Sequence, residues 1–415
     1  MTPTPIAHNE RLHSMDALRA VAMLLGIVLH AEMAYMTNVW SVWPADDASS
    51  SVVFDFSFWF IHMFRMQVFF VMAGFFACML YGRYGAARFA IHRLKRIALP
   101  LLLAMIFIIP VWKGVFAWGH YLMTPDAEAM SFMSVWANYY NTRPLNLILN
   151  PAHLWFLQQL LVMYAAAVVW LWLGTLAPPI AKMNALVTSG WCWCVRKGLA
   201  APVFAILAFP LLFLQNGSGV ETQSTALPAL HIVGYYLLFF AGGWMLYRQR
   251  ELLPLLARFY IPLLIIGFAL GTWMIARSGD SSLNSGAANT LTRAISASST
   301  AAFVVGFTGL FLHLFQKPSR AMRYISDSTY WMYIIHLPLV VWLNLLLMPV
   351  QLNAYAKFSL VLIASGVIML GTYQLFVRYT WIGVLLNGPR LREERQARRD
   401  MKRQPGAELS ASPPV

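Results

Sequence analysis

Long apolar runs alternate with short polar segments along almost the whole chain. Ten of these runs, roughly 15–36, 54–80, 97–117, 152–175, 200–215, 229–247, 259–277, 291–315, 328–348 and 356–380, are candidate membrane spans. A bilayer-crossing helix needs about 20 mostly apolar residues, so the run at 200–215 is short. The pattern predicts an all-α integral membrane protein, a bundle of about ten transmembrane helices. No internal repeat and no soluble second domain is evident. Residues 1–387 read as the membrane domain and 388–415 as a charged, disordered tail that is low in hydrophobicity. The first run is long and lacks a small-x-small cleavage site after it, so it reads as a retained signal anchor.

Composition agrees with lipid as the solvent. Hydrophobic residues make up 59% of the chain and charged residues 11%, against about 25% charged in ordinary soluble domains. The net charge of +14 is carried by short Lys/Arg clusters between the apolar runs, including eight residues from Arg378 to Arg403. That distribution sets topology and meets anionic lipid, so nucleic acid is not an expected partner. With the N-terminus in the cytoplasm, 24 of the 30 Lys and Arg residues fall on the cytoplasmic side. The exceptions are Arg65, Lys113, Arg143, Arg277, Arg293 and Lys357. Ten spans then return the C-terminus to the cytoplasm, and a bacterial inner membrane is the expected location. The longest outside loop, about 118–151, is rich in Trp, Tyr and Asn. This suits the membrane interface, and also a sugar platform.

Ionisable groups inside spans cost about 2.5–3.5 kcal/mol each, so they usually face a cavity and have a task. In the first span Asp16, Arg19, Met23, Gly26 and His30 recur at helical spacing. Eleven residues bring Arg19 and His30 within about 20° of one face, about 16 Å apart along the axis. Asp16 and Arg19, three apart, can form a topology-setting pair. His30 is either structural or catalytic.

The second span carries His62 and Arg65, with Asp55 two turns up the same face. Arg65 falls near mid-membrane and needs a carboxylate (Asp16 or Asp327), a polar cavity or a ligand. Gly74 permits close helix approach. Before the third span come Arg88, Arg93, Lys95 and Arg96. Arg93 and Arg96 would share one helical face, either as phosphate-gripping forks or as plain topological charge. His153 opens the fourth span. His336 lies within the ninth, followed by Pro338, which frees a backbone carbonyl, and Asp327 lies near that span's start. No metal is expected, because neither His-x-x-x-His nor clustered carboxylates occur. Cys78 lies inside an apolar run and the Cys192-Trp-Cys194 pair fits neither redox nor zinc spacing, so they read as small buried or interfacial residues.

Several of these segments resemble the acyltransferase 3 family of bacterial membrane O-acyltransferases. The likeness rests on LHSMDALRAVAMLLGIVLH with its Arg19-x10-His30 spacing, FRMQVFFVMAGFF, the Arg93-x-x-Arg96 pair, HLWFLQ at 153–158 and STYWMYIIHLPLV at 328–340, in order over residues 11–383. FRMQVFFVMAGFF and RYTWIGVLLNG are similar to the branch that includes glucan succinyltransferases. The resemblance implies transfer of an acyl group, acetyl or succinyl, from cytoplasmic acyl-CoA to a hydroxyl of an extracytoplasmic glycan. No permanently bound cofactor is implied; acyl-CoA is the donor substrate. It makes His30 the catalytic histidine, as general base or acyl carrier, with Arg19 in support and Arg93 and Arg96 on the CoA side. On geometry, Arg65 or His62 is placed to meet the oxyanion. The rival class is a transporter using buried His, Arg and Asp as a relay; a scaffold has no need of a polar stripe.

Overall fold

The computed structural model describes residues 13–37, 43–126, 128–217, 219, 221, 225–278 and 280–388; the expected tail beyond 388 lies outside them. Among the described residues every regular element is helical. The principal helices are α1 (His13–Glu32), α2 (Val52–Arg93), α3 (Leu99–Phe107), α4 (Ile109–Leu122), α5 (Phe132–Thr142), α6 (Trp155–Leu176) and α7 (Pro178–Arg196). They continue with α8 (Ala200–Leu212), α9 (Leu230–Arg248), α10 (Tyr260–Ala276), α11 (Gly286–Leu314), α12 (Arg320–Leu347), α13 (Ala354–Thr372) and α14 (Trp381–Asn387).

Each of the ten expected runs has a helical counterpart, but among the described residues seven helical segments are long and apolar enough to cross a membrane. Three features account for the difference. The second and third runs are joined in one 56-residue helical stretch, Val52–Phe107. The α8 helix has 13 residues, about 20 Å at 1.5 Å per residue. Finally, α10 follows Arg250–Leu256 across a 64° bend and counts as an eighth span only if that pair is one.

The long stretch bends at Gly85, whose φ of 71° is open to glycine. Eight residues of straight helix span about 12 Å, yet the Tyr81 and Phe89 rings lie 5.8 Å apart, so the chain turns there. A π-helical turn, Leu94–Ala98, follows immediately. Two segments expected as connections are helical instead. The α7 helix starts on Pro178 and Pro179, which suit a first turn. The α5 helix lies against α4 inside the aromatic loop, with Trp136 Nε1 donating to Pro110 O at 3.0 Å.

The core gathers around α2. Gly74 and Gly243 let α2 and α9 meet backbone to backbone: a Cβ on Gly74 would lie 1.8 Å from Phe240 O, and one on Gly243 1.8 Å from Val71 O. Ring pairs extend this seam, among them Phe70–Tyr236 at 4.5 Å and Phe64–Phe307 at 4.5 Å. The bundle has two chemically distinct ends. At the basic end His13 and Asp16 of α1 share a small cavity with Lys317 and Arg323. The π-turn joins that end, where Tyr330 donates to Arg96 O at 2.9 Å. At the opposite end the buried pair Lys357–Asp47, 2.6 Å, ties residues 43–51 to α13, and Tyr35 donates to Asn344 Oδ1 at 2.9 Å.

Candidate functional site

Near the far end of α1, three histidines from three separate runs converge. His30 lies 5.3 Å from His336 of α12, ring centre to ring centre. His336 lies 5.2 Å from His153, in the 3-10 turn Ala152–Leu154 that leads into α6. The local sequence explains how His153 is held. Pro338 has no N–H to give to Ile334 O, and His153 Nε2 donates to that carbonyl at 3.1 Å. His336 Nδ1 donates to Tyr333 O at 2.7 Å, and the Tyr333 hydroxyl donates to His153 O at 2.6 Å. These bonds leave His153 Nδ1 and His336 Nε2 as the basic ring nitrogens. His30 Nδ1 is buried without a hydrogen-bond partner. The Trp43 indole stacks on the His30 ring at 6.0 Å and 11°.

Arg65 is the cation of this cluster. Its guanidinium packs on α1 where Gly26 has no side chain: a Cβ there would lie 2.0 Å from Arg65 Nη1. It lies within electrostatic range of His30, His336, Tyr236 and Tyr333. Of the alternatives open to Arg65, the ion pair with Asp16 or Asp327 does not form. Asp16 lies 3.4 Å from Arg19, and Asp327 lies 4.0 Å from Arg323, both at the basic end.

The other five cations outside the basic clusters are all matched. Lys113 donates to Leu147 O at 2.9 Å and to Ile148 O. Arg277 pairs with Asp280 at 2.6 Å and Lys357 with Asp47 at 2.6 Å. Arg293 donates to Asn289 Oδ1 and Gln215 O, and Arg143 stacks over Tyr139 at 5.8 Å. Among the described residues, Arg65 and Arg143 are the two of these six with neither a side-chain hydrogen-bond acceptor nor an ion-pair partner; Arg143 is exposed, whereas Arg65 Nε is buried.

His62, three residues away, stacks on Phe58 at 5.6 Å. It lines a cavity shared with Gln67, Tyr235 and Tyr236 and stays within electrostatic range of His30. Asp55 accepts from Thr37 N and Oγ1, both at 2.9 Å, as a loop anchor.

At the basic end Arg19 donates to Ser326 Oγ at 2.8 Å and lies over Phe76 at 5.5 Å. Arg93 and Arg96 fall at the π-turn, not on one regular helical face. Arg93 contacts His92 Nδ1 at 2.7 Å and lies over Tyr164 at 5.5 Å. Arg96 donates to Leu386 O at 3.0 Å. Tyr330 is within electrostatic range of both, and neither forms an ion pair among the described residues. Arg88 and Lys95 are exposed beside them.

Sequence reasoning passed over Trp43, Tyr236, Tyr333 and Glu32. The Glu32 carboxyl is buried at 1% exposure beside Ser57. An acid inside the first span was itself a signal for Glu32; nothing comparable marked the aromatic residues. Among the described residues, no three His, Cys, Asp or Glu side chains are arranged to hold a metal ion.

Two chemically different sites thus lie at the two ends of one bundle: paired arginines at one, histidines around a lone guanidinium at the other. Comparison with known proteins agrees with an acyl-transfer catalyst. No solved structure matches the chain. Glucans biosynthesis protein C of Escherichia coli K12 is 35% identical over 164 residues, 39% of this chain and 39% of that protein. The same protein from Escherichia coli SMS-3-5 matches to the same extent. The aligned part is thus about two-fifths of the length of these curated relatives. The family model described as "Acyltransferase domain" covers residues 12–377, nearly everything from the first helix to the last π-turn, and the chain belongs to that family of membrane acyltransferases.

Proposed function

We propose that this protein moves an acyl group, acetyl or succinyl, from cytoplasmic acyl-CoA to a hydroxyl of a glycan on the outer side of a bacterial inner membrane. In this reading the bundle crosses ten times, with both termini and the basic end in the cytoplasm. Arg93 and Arg96, with Arg88 beside them, receive the donor's phosphates. Arg19, held by Asp16, lines the route inward. The observation that carries the reading is Arg65, a guanidinium at the histidine cluster with no acceptor of its own. An unmatched cation at membrane depth is costly, and a tetrahedral oxyanion supplies the missing charge.

The chemistry is a hydroxyl attack on a thioester. The acceptor oxygen bonds to the carbonyl carbon while its proton passes to the His30 imidazole, the general base. The oxyanion faces Arg65, with His62 nearby. As the C–S bond breaks, the thiolate leaves and takes the proton back from His30. The His336 and His153 rings, held by backbone carbonyls, fix the pocket around the base. The name of the curated relatives supports a glucan as acceptor, and membership of an acyltransferase family favours this reading over a transporter.

Labelled acyl donor and mass spectrometry of envelope glycans test it. The label is expected on the glycan in cells that carry the protein. His30→Ala should lower labelling by about 10²–10⁴, the range for a lost general base. Normal labelling by a folded His30→Ala protein would exclude the assignment.

A further inference from the structure

We propose that a cavity between α2, α9, α10 and α11 is the acceptor subsite, and that it takes one neutral, polyhydroxylated ring of the sugar class. The proposal rests on the acyl-transfer reading for its role. The cavity has a volume of about 250 Å³, just below the roughly 300–1,000 Å³ of drug-sized ligand sites. That is room for one ring, with the rest of a longer chain left outside.

Its position links solvent to the reacting centre. The cavity's exposed lining residues at the end of α10, Arg277 and Ser278, form the mouth, away from the basic end. The floor includes Tyr236, which is within electrostatic range of Arg65. His62 forms part of the wall and is within electrostatic range of His30.

The lining selects the ligand class. Trp59 and Trp273 line the cavity and offer aromatic surface to the C–H face of a sugar ring. Gln67 is 3% exposed, and its Oε1 has no partner. A buried acceptor of this kind calls for an O–H donor, which a sugar hydroxyl provides. Tyr235 and Thr300 line the cavity beside Gln67, and Thr300 Oγ1 donates to Met63 O at 3.0 Å, which fixes the polar wall on that side.

Charge argues against the acyl donor as occupant. Arg277 and Asp280 neutralise each other at 2.6 Å, and Arg277 also lies over Trp273 at 5.7 Å. Among the described residues, no cation at the mouth is left to meet the phosphates of a nucleotide-bearing donor, whereas Arg93 and Arg96 at the other end have no such counter-charge.

The test uses the full chain in nanodiscs, with calorimetric titration of a neutral glucose tetrasaccharide and of a tetrasaccharide of glucuronic acid. The neutral sugar should bind and the charged one should bind at least tenfold more weakly. Trp273→Ala and, as a near-isosteric second variant, Thr300→Val should each weaken neutral-sugar binding at least about fivefold. Acyl-CoA affinity should stay within twofold, and His30→Ala should bind the sugar like the wild type. Unchanged sugar affinity in both cavity variants, a shift in acyl-CoA affinity instead, or no sugar binding by the wild type would overturn the subsite. Binding is read without turnover, so the two ideas fail separately. Sugar bound in the cavity with no acyl transfer keeps the subsite and removes the acyl-transfer reading. Transfer with cavity-independent sugar KM does the reverse.

Discussion

Arg65 sits where it does because residue 26 is a glycine. A methyl group at Gly26 would lie 2.0 Å from Arg65 Nη1, so Gly26→Ala should push the guanidinium off α1 and away from the histidines. Acyl transfer should fall at least tenfold, while the thermal unfolding midpoint moves little, since the displaced group is the far end of a flexible side chain. Gly366→Ala, with nothing within 4 Å of the added carbon, is the control and should leave transfer unchanged. Arg65→Lys should not restore activity, because a point ammonium lacks the planar fork. Part of this was legible in the sequence: Gly26, His30 and Arg65 stood out as helically spaced or buried polar positions. The contact between Gly26 and Arg65 was not, because spacing along one helix says nothing about which residue of another helix faces it. Trp43 was missed for a similar reason. It lies between spans, and only the return of the 43–51 segment over α1, anchored by Asp47 and Lys357, brings its ring onto His30.

At the scale of elements, a proline and two glycines do work that their neighbours cannot. Pro338 leaves Ile334 O without its helical donor, and His153 uses it. Pro338→Ala restores an N–H that competes for that carbonyl. The helix should gain stability, since a proline in a helix interior costs about 3 kcal/mol, while transfer falls several-fold as His153 loses its anchor. Enzyme assays alongside thermal melts check both halves; equal loss in both would mean that Pro338 serves only the fold. Gly243→Leu has no such subtlety. Its side chain would meet the Val71 backbone, whose oxygen lies 1.8 Å from a Cβ there. Detergent-solubilised protein should therefore be aggregated or absent, as expected when a close helix seam of small residues is blocked. The sequence announced the freed carbonyl and the role of Gly74, both local properties. It gave no sign of the partner Gly243, nor of the π-turn at Leu94–Ala98, because each depends on how distant helices dock. The apolar runs themselves were plain, yet run length gave no sign that the second and third are joined through a bend at Gly85 into one helical stretch, Val52–Phe107.

For the molecule as a whole, the functional reading needs the two ends to differ in ligand preference. One end carries two guanidiniums without carboxylate partners among the described residues, at a π-turn pinned by Tyr330 and Leu386 O; the other carries an aromatic, charge-balanced cavity. If the basic end serves the donor, Arg93→Ala together with Arg96→Ala should raise the acyl-CoA KM at least tenfold and leave the sugar KM within twofold. The effect should shrink with added salt, because exposed charge–phosphate attraction is screened over about 8–10 Å at 0.1–0.15 M. Net charge alone predicts a different outcome. Arg83 is exposed on the same stretch, stacked over Tyr84 at 5.6 Å, so Arg83→Ala removes the same kind of charge from the same end without touching the π-turn. A donor site built from forked arginines responds to the Arg93 and Arg96 changes and ignores Arg83→Ala, while a merely basic surface responds to charge removal wherever it occurs. Steady-state kinetics with the three changes, run at two salt concentrations, separate a binding site from a topology signal, a distinction that the Arg-x-x-Arg spacing left open.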